Sequence, residues 1–142
     1  MKKIIVLFYF FIVAISSFSQ ENEVKTIVLE INNVMPNRGA IHISAFLSET
    51  AYKRQTPDYT FQVNSTDSII RTELILSLGE CVISVYQDVN GNGICDTGLF
   101  SIPKEPVGIT NWNGKGPPGN FNKHKININN ITQILSISLH QL

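Results

Sequence analysis

Apolar residues recur at every second position through most of this chain. Ile27, Leu29 and Ile31 alternate with Val28, Glu30 and Asn32. Ile41, Ile43, Ala45 and Leu47 alternate with His42, Ser44, Phe46 and Ser48. The runs 70–76, 81–85 and 135–139 follow the same rule. A period of two belongs to a strand, whose side chains point to opposite faces in turn, and not to a helix. Each run has one apolar and one mixed face, as half-buried antiparallel strands do. Tyr59-Thr60-Phe61-Gln62-Val63 is a further short strand candidate. Residues 49–57 lack alternation and read as a short helical turn or a loop.

Turn chemistry separates these runs. Pro36-Asn37-Arg38-Gly39 reads as a short hairpin loop between the first two strands. Asn64-Ser65-Thr66-Asp67 precedes the third long strand, and Leu78-Gly79-Glu80 is a tight link to the fourth. Many short strands at this spacing predict an all-β fold, an antiparallel β-sandwich. The stretch 98–122 breaks the pattern with Pro103, Pro106, Pro117 and Pro118, five glycines and the only Trp, Trp112. That density excludes a regular central strand. A long loop in a compact domain is usually functional, and this one is expected to be ordered over one end of the sandwich.

The first residues stand apart. Lys2 and Lys3 precede an apolar run, 4–15, and then Ser16-Ser17-Phe18-Ser19. A basic start, a short apolar middle and a small-x-small exit mark a cleavable signal peptide, residues 1–19. The run is shorter than the ~18 residues a spanning helix needs. The remainder, 20–142, is expected to be one exported β-sandwich domain with no membrane span, in the periplasm, at the surface or outside the cell. Without Lys2 and Lys3, nine basic residues face eleven acidic ones, a net charge of −2. With no basic block, nucleic acid is not an expected partner.

Export would permit Cys81 and Cys95 to pair. However, Cys81 begins a strand and Asp88 lies seven residues on, ~23 Å of extended chain. Disulfide geometry needs Cα atoms within ~7 Å, so two separate thiols are expected.

The chemistry concentrates in D-V-N-G-N-G-I-C-D, residues 88–96. Asp88, Asn90, Asn92, Gly93 and Asp96 match the oxygen-rich first part of a calcium loop, with the Ile94 carbonyl as a further ligand. Alternate side chains of a curling loop point inward together. The EF-hand's closing Glu is replaced here by Leu99, and the flanks are strand-like, so this is not an EF-hand. Glu105 is the nearest downstream carboxylate that a folded-back loop brings in. Two Asn-Gly dipeptides also make strong turns without any metal. A calcium site of this composition belongs to the weak, extracellular class, ~10⁻⁴–10⁻³ M.

Catalytic parts are few. His42 and His140 lie on mixed strand faces, and His124, between Lys123 and Lys125, is expected to be exposed at a strand start. There is no helical His pair and no G-x-S-x-G elbow. Asp88, Asp96 and Glu105 are the carboxylates to weigh for hydrolysis, with Asp96 and Glu105 as the leading pair. In the late loop Phe100, Trp112 and Phe121 are either a platform for a sugar or peptide, or the lid of the sandwich.

The order of these motifs is fairly specific. A strand ending G-E-C-V-I-S-V-Y-Q-D leads to V-N-G-N-G-I-C-D, then I-P-K-E-P-V-G-I-T-N, then G-P-P-G-N-F. The chain resembles the secreted bacterial family called domain of unknown function 2141, over about 24–139. The resemblance implies an immunoglobulin- or transthyretin-like sandwich outside the cytoplasm. Its shared positions would be Asp88, Asn90, Asn92, Asp96, Pro103, Glu105, Pro106, Gly108, Asn111 and Phe121. It brings no catalytic set. Cys81 and Cys95 depart from its pattern. The expectation is a non-enzymatic binding or structural module with calcium at Asp88, Asn90, Asn92, Ile94, Asp96 and Glu105, and an envelope or extracellular partner, carbohydrate or protein. A calcium-dependent carbohydrate-binding module is the alternative, with Trp112 and Phe121 as platform; a carboxylate-based hydrolase stands behind both.

Overall fold

A computed structural model describes residues 23–130 and 134–142, so the signal peptide expected at 1–19 lies outside the described residues. The described residues include eight strands: β1 (Val24–Asn32), β2 (Ala40–Phe46), β3 (Tyr59–Asn64), β4 (Ile69–Ser77), β5 (Gly79–Asp88), β6 (Val107–Ile109), β7 (Ile126–Ile128) and β8 (Ile134–Ser138). Two short helices accompany them, α1 (Glu49–Arg54) and α2 (Phe121–His124). One sheet runs β4-β1-β8; the other runs β3-β2-β5-β6, with β7 also paired to β5. The architecture is the all-β sandwich expected from the alternation. Every strand pair is antiparallel except β1 with β8, which is parallel from Val28↔Ile134 to Asn32↔Ser138.

The alternation translates directly into the core. Ile27, Leu29, Ile31, Leu74, Leu76 and Ile137 of the smaller sheet meet Ile41, Ile43, Ala45, Ile83 and Val85 of the larger. Full burial of each Ile or Leu contributes about 1.5–3 kcal/mol. Near the loop ends the register carries a polar residue inward. Gln87 follows Cys81, Ile83 and Val85 on the core face and is fully buried. Its amide is satisfied on both sides. Nε2 donates to the Met35 and Arg38 carbonyls at 2.7 and 2.6 Å, and Oε1 accepts from Met35 N–H at 2.9 Å.

Those bonds explain a correction. The Pro36–Gly39 turn does not close a hairpin, because β1 and β2 lie in different sheets. It carries the chain across the sandwich, where Gln87 clasps it. Gly39 is required there. Its φ is +68°, and a Cβ would stand 1.7 Å from the Asp88 carbonyl oxygen. Leu78 likewise links β4 to β5 across the two sheets. Turn residues announce a reversal; core burial decides which strand becomes the neighbour.

The strand β5 is covered on both faces. Its outer face buries Val82 against Ile109 and Phe121, with Tyr52 and Trp112 packed alongside. The Pro/Gly-rich stretch is therefore ordered, and its three-residue strand, β6, lies at the sheet edge, in keeping with the exclusion of a central strand. β6 pairs Ser84–Tyr86 while β7 pairs Gly79–Cys81, along the same edge of β5. His124 is not exposed at a strand start; it lies in α2 and is fully buried. Its Nε2 accepts from Gly119 N–H at 2.7 Å, which leaves the proton on Nδ1 for the Thr110 carbonyl at 3.0 Å. The i, i+2 pattern of strands carries no information on this second layer. Among the described residues, no helix is long and apolar enough to cross a membrane.

Gln87→Leu is expected to lower the unfolding free energy by about 2–4 kcal/mol, because three backbone groups lose their partner. Urea denaturation measures it; an unchanged midpoint would show that water replaces the amide without cost.

Candidate functional site

The loop 88–96 begins where β5 leaves the sheet. Asp88 is 3% exposed and Glu105 4%, and buried carboxylates need partners. Asp88 Oδ1 accepts from Gly91 and Asn92 N–H at 2.8 and 3.1 Å, and Oδ2 from Gly93 N–H at 2.8 Å. His42 Nε2 stands 3.8 Å from Oδ2 and its ring stacks on Tyr86. Burial pushes the Asp88 carboxyl up, but the amides of Gly93, Asn92 and Gly91, with His42, outweigh it, so it titrates below its ordinary value.

The other end of the loop is drawn in by two asparagines. Asn90 and Asn92 both donate through Nδ2 to Asp96 Oδ2, at 2.6 and 2.8 Å. Their Oδ1 atoms accept backbone N–H two residues on, from Asn92 and Ile94. Tyr86 donates its hydroxyl to the Gly93 carbonyl at 3.2 Å.

Four of the anticipated side chains, Asp88, Asn90, Asn92 and Asp96, thus share one small loop. Ile94 is in the same loop, with an exposed side chain. Glu105 does not join them through its oxygens. Oε1 accepts from Val89 N–H at 2.9 Å and Oε2 from Asp96 N–H at 3.2 Å. It clamps both ends of the loop and ties them to the Pro-rich segment, which adds Lys104 N–H to the Asp96 carbonyl and Gln87 N–H to the Pro106 carbonyl. Among the described residues, no group of three or more His, Cys, Asp or Glu side chains is arranged to hold a metal ion. A cation here would rely on two carboxylates, two amides and the Ile94 carbonyl. The donor set suits a hard cation such as calcium. As the loop stands, Asn90 and Asn92 direct N–H groups at Asp96 and their Oδ1 atoms accept backbone N–H, so a cation would have to displace these bonds.

The aromatic candidates separate. Phe121 is 4% exposed in the second core, so its ring is not a platform. Trp112 lies at the rim, edge-on to His140 with centroids 5.5 Å apart. The side chain of Phe100 lies outside the described residues. Gln87 and Tyr86 were not singled out from the sequence, and His124 was read as exposed. Gln87 alone had a visible signal: a polar residue in the inward register.

Cys81 and Cys95 are separate free thiols. Burial raises the Cys81 thiol to about 12; burial, then Glu105 and Asp96, raise Cys95 to about 11.

Two outcomes follow for solution work. Asp88 titrates lower folded than unfolded, so its ionised form contributes stability above about pH 4 that is lost as pH falls through the lowered value. Asp88→Asn should therefore lower the melting temperature at pH 7 and converge with the native protein in acid. Parallel melting curves across that range would contradict this. At pH 8 both thiols should react far more slowly with a disulfide reagent than free cysteine does. Rapid labelling of Cys95 in the folded protein would contradict its burial beside two carboxylates.

Residues 29–135 match a protein family described as an uncharacterized protein conserved in bacteria. No curated protein and no solved structure matches the chain. The matched span holds β2 to β7 complete and both ends of the 88–96 loop with its Glu105 clamp. The chain accordingly belongs to that bacterial family, domain of unknown function 2141.

Proposed function

We propose that this protein is an exported, non-enzymatic binding or structural module of the cell envelope or the extracellular space, with one weak calcium ion ordering its 88–96 loop. One observation carries the calcium reading: Asn90 and Asn92 converge on the Asp96 carboxylate beside an Asp88 already held by three amides. The amide N–H groups stand where a cation's charge would be useful. Asp88, Asn90, Asn92, Asp96 and the Ile94 carbonyl would hold the ion, which supplies charge neutralisation and loop order. Glu105 serves as clamp.

The non-enzymatic reading is supported by how the acids are used. Asp88 and Glu105 are committed to backbone amides, so the Asp96–Glu105 pair offers no free general acid. The carbohydrate reading stands second and rests on Trp112 alone, since Phe121 is buried. Export rests on the expected signal peptide.

Calorimetric titration with calcium tests the main reading. Expected are a Kd of ~10⁻⁴–10⁻³ M and stabilisation of about 1.4 kcal/mol at ten times Kd, both lost in Asp96→Ala. No heat and no rise in melting temperature with calcium would mean that hydrogen bonds alone hold the loop.

A further inference from the structure

An open groove of about 700 Å³ lies where the edges of the two sheets meet, beside β8 and the loop after β6. Its size is that of a small-ligand site. Trp112, Asn113, Lys115, Lys123, Ser138 and His140 line it. Among the described residues no carboxylate does, and none of the four ion pairs involves Lys115 or Lys123, so two lysines line one groove without an ion-pair partner. Lys side chains are donors only. The groove therefore asks for an acceptor-rich anion.

The remaining lining says which kind. Trp112 offers an aromatic surface at the rim. Asn113 and Ser138 offer a side-chain amide and a hydroxyl, which read sugar hydroxyls as donors and acceptors. No arginine lines the groove, as would suit forked recognition of a phosphate. The wall is prebuilt. Gly114 has φ +76°, and a Cβ there would stand 2.4 Å from the His140 ring, so the loop closes directly on it. The backbone joins His140 to Val107 by two hydrogen bonds, 3.0 and 2.8 Å.

We propose that this groove binds an acidic saccharide, a sugar ring carrying a carboxylate, and does so without calcium. Lys115 and Lys123 receive the carboxylate, and Trp112 receives the ring. The inference deepens the carbohydrate reading and is independent of the calcium loop.

Trp112 is the only tryptophan, so its emission reports on the groove alone. The purified protein is titrated in excess chelator with oligogalacturonate, with an uncharged galacto-oligosaccharide of equal length, and with inorganic phosphate. Expected is a saturable change with the uronate only. Lys115→Ala with Lys123→Ala, both exposed and not needed for folding, should weaken it at least about tenfold at unchanged melting temperature. Trp112→Phe, followed by calorimetry, should weaken it too. Equal binding of the neutral oligosaccharide would keep a carbohydrate site but overturn the acidic assignment. Binding of phosphate as tight as that of uronate would reduce it to a bare anion site. No response to any saccharide would overturn this inference, and the same titration repeated with calcium then decides the calcium-dependent carbohydrate reading separately.

Discussion

Two buried carboxylates at the end of β5 organise everything around them. Asp88 and Glu105 are almost wholly removed from water, and an unpaired buried carboxylate costs several kcal/mol or gives up its charge. Neither has a Lys or Arg partner among the described residues; His42 alone stands near Asp88. Their compensation is five backbone N–H groups, from Gly91, Asn92 and Gly93 for Asp88 and from Val89 and Asp96 for Glu105. Backbone donors reach a carboxylate only if the chain curls around it. The path of residues 88–96 is thus set by the need to satisfy two charges. The same constraint pulls the Pro-rich segment back onto β5, and with it the short β6 that closes the sheet edge.

A second consequence lies on the outer face of β5. Once β6 is docked, Ile109, Trp112 and Phe121 come down over Val82. The buried His124 locks this layer, since Gly119 N–H and the Thr110 carbonyl both end on its ring. The late loop is therefore a second packed layer, and only its rim, at Trp112 and His140, faces outward as a groove. Loop and groove are separate pieces of chemistry on one scaffold. The loop gathers Asp88 and Asp96 among amides; the groove is lined by two lysines.

Much of this was legible in the chain. The i, i+2 alternation located β1 to β5 and β8 and their inward faces. The D-x-N-G-N-G-x-x-D spacing located the loop, and the later Glu was correctly associated with it in space. Its role was not legible. Spacing brings Glu105 near, but only the positions of Val89 N–H and Asp96 N–H make its oxygens clamps. Pro36–Gly39 was read as a hairpin because turn residues report a reversal and are silent on which sheet the next strand joins. His124 was misread for a related reason. A residue on a single helical turn has no periodicity long enough to show a buried face.

By itself, the sequence determined the class of fold, the inward set of most strands and the oxygen-rich composition of one loop, because these depend on local period and residue type. Tertiary structure decided the sheet partners, the parallel pairing of β8 with β1, the burial of Phe121 and His124, and the division between carboxylates that clamp and side chains that are left to bind. Those depend on contacts between segments far apart in the chain. In this protein, what remains available for function is whatever those contacts do not consume.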